Sequence, residues 1–186
     1  GPAILATLRV ANYGERAIEE VMFPMVRGVG AIPDGEIIWP MFFRRNLGDP
    51  FQTDTEQGRG APFGSDHHTW NEWTQKQNMR YPQHLCSAWC DYGNKTHGLG
   101  MEGRHTDFSI MDFFFHKVVE KTRAPVRRTL DMIISHPRRV RPEETYTSSP
   151  VRISLHEGDW RAVAGAHRDW LETWVQKPDR PRPFAE

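Results

Sequence analysis

Cysteine is nearly absent from this chain: Cys86 and Cys90 are the only two in 186 residues. So few cysteines exclude a disulfide framework as the source of stability. Both lie in a segment that reads as extended, where four residues span about 13 Å, too far for one disulfide. They are expected to be buried free thiols. Long apolar runs are missing as well, and none approaches the roughly 20 residues a membrane-spanning helix needs, so a membrane partner is not expected. Lys+Arg (24) balance Asp+Glu (24), which removes any global attraction to nucleic acid or a lipid surface. No secretion signal is visible, and the compartment stays open. Gly1-Pro2 reads as a remnant of tag removal and Ala3 as a start in mid-strand, so the chain is expected to begin inside a longer protein.

What is present is turn chemistry and aromatic mass. Fourteen prolines and 15 glycines leave little room for long helices, while seven tryptophans and ten phenylalanines suit an aromatic-rich core or surface. Residues 7–10 alternate as a half-buried strand, and residues 18–23 read as a second strand stopped by Pro24, the two forming a hairpin. Asp34-Gly35 marks a turn before residues 36–39, which Pro40 closes. Regular patterning is lost over residues 44–82, a long loop of the kind that is usually functional. Strand patterns return at residues 84–91, 98–102, 107–117, 128–134 and 151–155. In the segment 107–117, Phe108, Ile110 and Phe114 alternate with Met111, Phe113 and Phe115, as in a strand covered on both faces. About eight strands separated by turns predict an all-β antiparallel sandwich over residues 1–155.

One helix is predicted after this sandwich. Asp159 is a good N-cap, and Trp160, Val163, Ala164, His167, Trp170, Leu171 and Trp174 recur at helical period until Pro178. Residues 156–186 therefore read as a linker helix and tail. Three tryptophans on one helical face call for a large apolar partner, supplied in part by the sandwich and in part by a following domain.

Four places in the chain resemble a group of bacterial glycoside hydrolases. They are Val10-Ala11-Asn12 with the strand ending Phe23-Pro24, Tyr81-Pro82 before Ala88-Trp89-Cys90-Asp91-Tyr92, the segment Gly98-Leu99-Gly100-Met101-Glu102, and the exit His156-Glu157-Gly158-Asp159-Trp160 through His167-Arg168-Asp169-Trp170. In that group an N-terminal β-super-sandwich, similar to the galactose mutarotase fold, precedes a (β/α)8 barrel. His167 stands where the group usually has tyrosine. The resemblance implies an accessory sandwich of a carbohydrate-active enzyme, packing on a downstream barrel that carries the catalytic carboxylates. Asp159, Trp160, Trp170 and Trp174 would then serve the domain junction.

Within the chain, the cluster Asp66, His67, Trp70 and Trp73 is the candidate substrate-binding loop, because aromatic faces suit the C–H faces of sugars and polar neighbours bind hydroxyls. The plainer reading of Trp70 and Trp73 is anchorage of the loop. His67, His68, His84 and Cys86 fit no zinc spacing, and neither metal nor cofactor is expected. Asp91, Glu102, Asp107 and Asp112 sit on or near strands, but sequence brings no pair to glycosidase separation. Asp112, a charge inside an apolar strand, is expected at an edge or facing solvent. His84, His97, His105 and His116 with Glu102 and Asp107 could supply mutarotase-type acid–base chemistry, though nothing in the sequence fixes their geometry. The arginines between 123 and 141 interleave with acidic residues and lack a stacking platform, which argues against nucleic acid. A stand-alone sugar-binding module is the second reading. Exposed tryptophan on the last helix would favour self-association of the isolated chain.

Overall fold

The computed structural model describes residues 1–41, 45–46, 49–51, 76–120 and 127–176. Among these are twelve strands: β1 (Ala3–Ala6), β2 (Arg9–Ala11), β3 (Val21–Val29), β4 (Glu36–Trp39), β5 (Arg45–Asn46), β6 (Lys76–Tyr81), β7 (Trp89–Gly93), β8 (His97–Gly103), β9 (Met111–Glu120), β10 (Arg127–His136), β11 (Thr145–Thr147) and β12 (Val151–Glu157). The one helix among them is α1 (Arg161–Leu171). The protein is an antiparallel all-β sandwich with a helix at its C-terminal side. A six-stranded sheet, β1-β12-β8-β7-β4-β5, faces a four-stranded sheet, β3-β10-β9-β6, and β11 pairs with β2.

The core follows from strand alternation. Ile37, Trp39, Cys90, Tyr92, Leu99, Met101 and Val151 point inward from the larger sheet. Met79, Tyr81, Met111, Phe113, Phe115, Leu130, Met132 and Ile134 meet them from the smaller one. Trp39 packs edge-on against Phe115 across the layers, with ring centres 5.3 Å apart. The Tyr92 hydroxyl accepts the Ile32 amide at 2.9 Å, and burial pushes its phenol up to about 12.

Several local expectations are corrected. The first two strands form no hairpin: β2 pairs with β11, and β3 pairs with β10. Pro24 does not stop β3, because β3 is an edge strand and its register shifts opposite Ile134, so the missing N–H breaks no ladder. A second shift lies at Gly28, whose φ of 74° suits glycine, and Asp131 accepts the Gly28 amide there at 3.0 Å. β6 lies inside the segment 44–82 read as a loop, hidden because Asn78 and Arg80 alternate with the buried Met79 and Tyr81. Cys90 is buried, but Cys86 is exposed in the turn before β7, not in a strand. In the segment 107–117 only Met111, Phe113 and Phe115 enter the core. Phe108 and Ile110 precede β9 and are exposed.

Asp112 also differs from expectation. It is buried in β9, beside Arg80 of β6, which donates to its two oxygens from Nε at 2.8 Å and from Nη2 at 2.7 Å. The ladder places the two residues directly opposite each other, so the carboxylate enters the sheet already paired.

Candidate functional site

The outward face of the six-stranded sheet, where α1 lies, gathers one cluster of buried polar side chains: Asp91, Glu102, Ser154 and His167. Registers across β4, β7, β8 and β12 set the strand residues in rows. Glu36, Gly93, Gly98 and His156 form one row, and Ile38, Asp91, Gly100 and Ser154 form the next. Trp89, Glu102 and Arg152 form the third.

Glycine in the second of these rows is what lets α1 approach. A Cβ at Gly100 would stand 2.3 Å from Val163 Cγ2. Val163 is buried there with Ile38 and Trp89, and Trp160 and Ala164 pack on this second, smaller core. Replacing Gly100 by alanine is therefore expected to push α1 outward and cost about 1–3 kcal/mol, as overpacking does. Thermal melting of the Gly100→Ala variant measures it, and an unchanged midpoint would mean that α1 does not seat on this glycine.

Charge is buried in the same layer. Glu102 is fully buried. It receives Arg104 Nη2 at 3.2 Å and a close contact from Arg152 Nη1. Arg152 also donates to Ser154 Oγ at 3.2 Å. His167, on the inner face of α1, brings Nδ1 to 3.9 Å from Glu102, too far for a hydrogen bond. Withdrawal from water, with Arg104 and His105 nearby, pushes this imidazole down to about 4. Asp91, 1% exposed, bonds His156 Nε2 at 2.8 Å. That bond raises the His156 pKa, while burial pushes the Asp91 carboxyl up.

The two ends of α1 differ in character. At its start Asp159 does not occupy the cap position, which falls on Trp160. Asp159 Oδ1 nevertheless accepts the Arg161 amide at 3.0 Å, closing the turn into the helix. The Trp160 indole stacks on Trp89, with ring centres 6.0 Å apart and planes 3° from parallel. A cleft of about 510 Å3 opens beside it, lined among others by Asp34, Glu36, Asp91, Lys95 and Trp160. At the far end Trp170 packs on Trp174 (5.6 Å), and Trp174 on Phe108 (5.9 Å). The Arg104 guanidinium sits 5.5 Å from the centre of the Trp170 ring.

Asp159 and Trp160 thus stand at the cleft, and Trp170 and Trp174 at the aromatic end. Asp66, His67, Trp70 and Trp73 lie outside the described residues. The mutarotase-type candidates do not converge: Glu102 is enclosed by arginines, His105 is buried 4.0 Å from the exposed Asp107, and His84 and His97 are exposed. Among the described residues no group of three or more His, Cys, Asp or Glu is placed to hold a metal ion. The signals for the polar layer were the glycines of β8, which mark close backbone approach, and the histidine within the apolar stripe of α1.

No known family model matches the chain, and no curated protein matches it.

Proposed function

We propose that this chain is the accessory β-sandwich of a glycoside hydrolase, packing on a catalytic (β/α)8 barrel and leaving the acid–base chemistry to that barrel. The ordered resemblance described above motivates the family. The observation that carries the reading is the aromatic end of α1. Helix α1 is fixed to the sheet by Val163, His167 and the stacked Trp160; Trp170 lies in its last turn, Trp174 just past its end, and the 60% exposed Phe108 packs on Trp174. Val175 is exposed beside Trp174. Exposed apolar side chains at this end suit a neighbouring domain that offers an apolar surface. The buried carboxylates support a non-catalytic role, since Asp91, Glu102 and Asp112 each bond a histidine or arginine side chain of the sandwich itself. The test is an assay of the isolated chain against a panel of aryl glycosides. No turnover is expected, and hydrolysis that survives repurification and heat-inactivation controls would overturn the reading.

One observation favours the second reading, a sugar-binding module. The cleft beside Trp160 sets an indole beside Asp34 and Glu36, carboxylates that are unpaired among the described residues, a composition suited to hydroxyl groups.

A further inference from the structure

The two main sheets end in β1, β5, β3 and β6, and these edges are not alike. β3 carries Pro24 and two register shifts. β5 is only two residues long. β6 carries Arg80, partly exposed beside Asp112. Proline, broken register, brevity and charge all keep an edge from pairing with another chain. β1 is longer than β5, has neither charge nor proline, and keeps an unbroken register against β12. Its Ile4 and Leu5, on opposite faces, are 62% and 64% exposed.

Hydrogen-bonding capacity along β1 follows from its ladder. The Pro2 carbonyl accepts the Leu155 amide at 3.0 Å, so Pro2, Ile4 and Ala6 turn their backbone groups toward β12. Those of Ala3 and Leu5 alternate with them and turn to the other side, where β1 has no neighbouring strand among the described residues. The side chains add an apolar corner. Ile4 lies opposite Ile153, which packs on the core, so both point to the inner face. Leu155, two residues along β12 on that face, is 56% exposed, so the smaller sheet does not cover this corner.

We propose that two copies of this chain join through β1, antiparallel about a two-fold axis beside Ile4, so that their six-stranded sheets become one. The commitment to a second copy rests on the fit of the strand to itself. With Ile4 opposite the second copy's Ile4, Ala3 meets Leu5 and Leu5 meets Ala3, so both outward-turned residues of each copy find a partner within β1. Each of these pairs exchanges two backbone hydrogen bonds, about four in all. On the inner face Ile153 and Ile4 of one copy then continue into Ile4 and Ile153 of the other, an unbroken apolar row. On the outer face each Leu5 stands against a small Ala3, and no charge of β1 opposes another. Closed two-fold pairing of this kind is the commonest symmetry of homo-oligomers. The contact is smaller than the roughly 1,600 Å2 of a standard interface, so the expected dissociation constant is modest, on the order of 100 μM. None of this depends on the carbohydrate reading.

The test is sedimentation velocity of the 186-residue chain from about 1 μM to about 1 mM, a range that brackets this affinity. A reversible monomer–dimer equilibrium is expected. Ile4→Lys, at an exposed position, sets like charges directly opposite each other and should weaken the dimer about tenfold or more without lowering the melting midpoint. Cross-linking checks the register independently of that variant. In a Cys86→Ser background, where the remaining Cys90 is buried, Ile4→Cys should form a disulfide between copies. The two α-carbons of such a pair lie about 4.5 Å apart, within disulfide reach. Leu5→Cys, which faces Ala3, should form none. A monomer over the whole range overturns the proposal. So does a dimer that Ile4→Lys leaves intact, which would place the contact on another surface, such as the aromatic end of α1. A dimer that cross-links through Leu5→Cys and not through Ile4→Cys also overturns it.

Discussion

Replacing Glu102 by glutamine should lower the unfolding free energy by about 3 kcal/mol, near the bottom of the range for breaking a buried ion pair. The position explains the size. Glu102 is fully buried in β8 and balances two guanidiniums, Arg104 beyond the strand end and Arg152 from β12. Glutamine keeps the shape but leaves both arginines without a counter-charge. Their side chains retain 21% and 24% exposure, so water offsets part of the loss and the effect stays below the upper limit. Denaturant unfolding followed by tryptophan fluorescence measures it, and the melting midpoint should fall by about 6–12 °C for a domain of this size. A loss under about 1 kcal/mol, the worth of a surface pair, would mean that the layer beneath α1 is wetted and that Glu102 does not hold it together.

Acid should act on the same layer from the helix side. His167 titrates at about 4 in the folded chain against an ordinary value of 6.5, because burial outweighs the carboxylate 3.9 Å away that Arg104 and Arg152 already neutralise. Between these two values the unfolded chain takes up a proton that the folded chain refuses. Stability therefore falls as pH falls through this window, by about 3 kcal/mol once pH is below 4, and is fully present above 6.5. His105 and His136, both lowered by burial, add to the loss in the same direction. The Asp91–His156 pair opposes it, since both groups hold their protons more tightly when folded. On passing from pH 7 to pH 4, a His167→Leu variant should lose about 3 kcal/mol less stability than the parent chain. Equal acid losses in the two proteins would place the titration elsewhere.

How much of this was legible depended on whether a signal was local. The strand from residue 151 and the apolar stripe from Trp160 to Leu171 are written in consecutive residues and form at those positions, although Asp159 is not the cap and Trp174 falls past the end of α1. Strand pairing is not local. Residues 7–10 and 18–23 look like a hairpin because they are neighbours in sequence, yet β2 and β3 find partners more than 100 residues away. Asp112 shows the same limit: its burial makes sense only beside Arg80, 32 residues earlier on an adjacent strand. The polar layer stayed hidden for a subtler reason. Asp91, Glu102, Arg152, Ser154 and His156 occupy alternate positions opposite apolar ones, the pattern of a strand face turned to water. Only the helix lying over that face makes it an interior.

The proposed role itself is tested most directly by measuring glycoside turnover of the native gene product beside that of the 186-residue chain, on the same panel and with an intact mass for each. The accessory-domain account predicts a longer native product that hydrolyses a glycoside and an isolated chain that hydrolyses none. A native product ending at Glu186, or turnover of equal rate by the isolated chain, would contradict it.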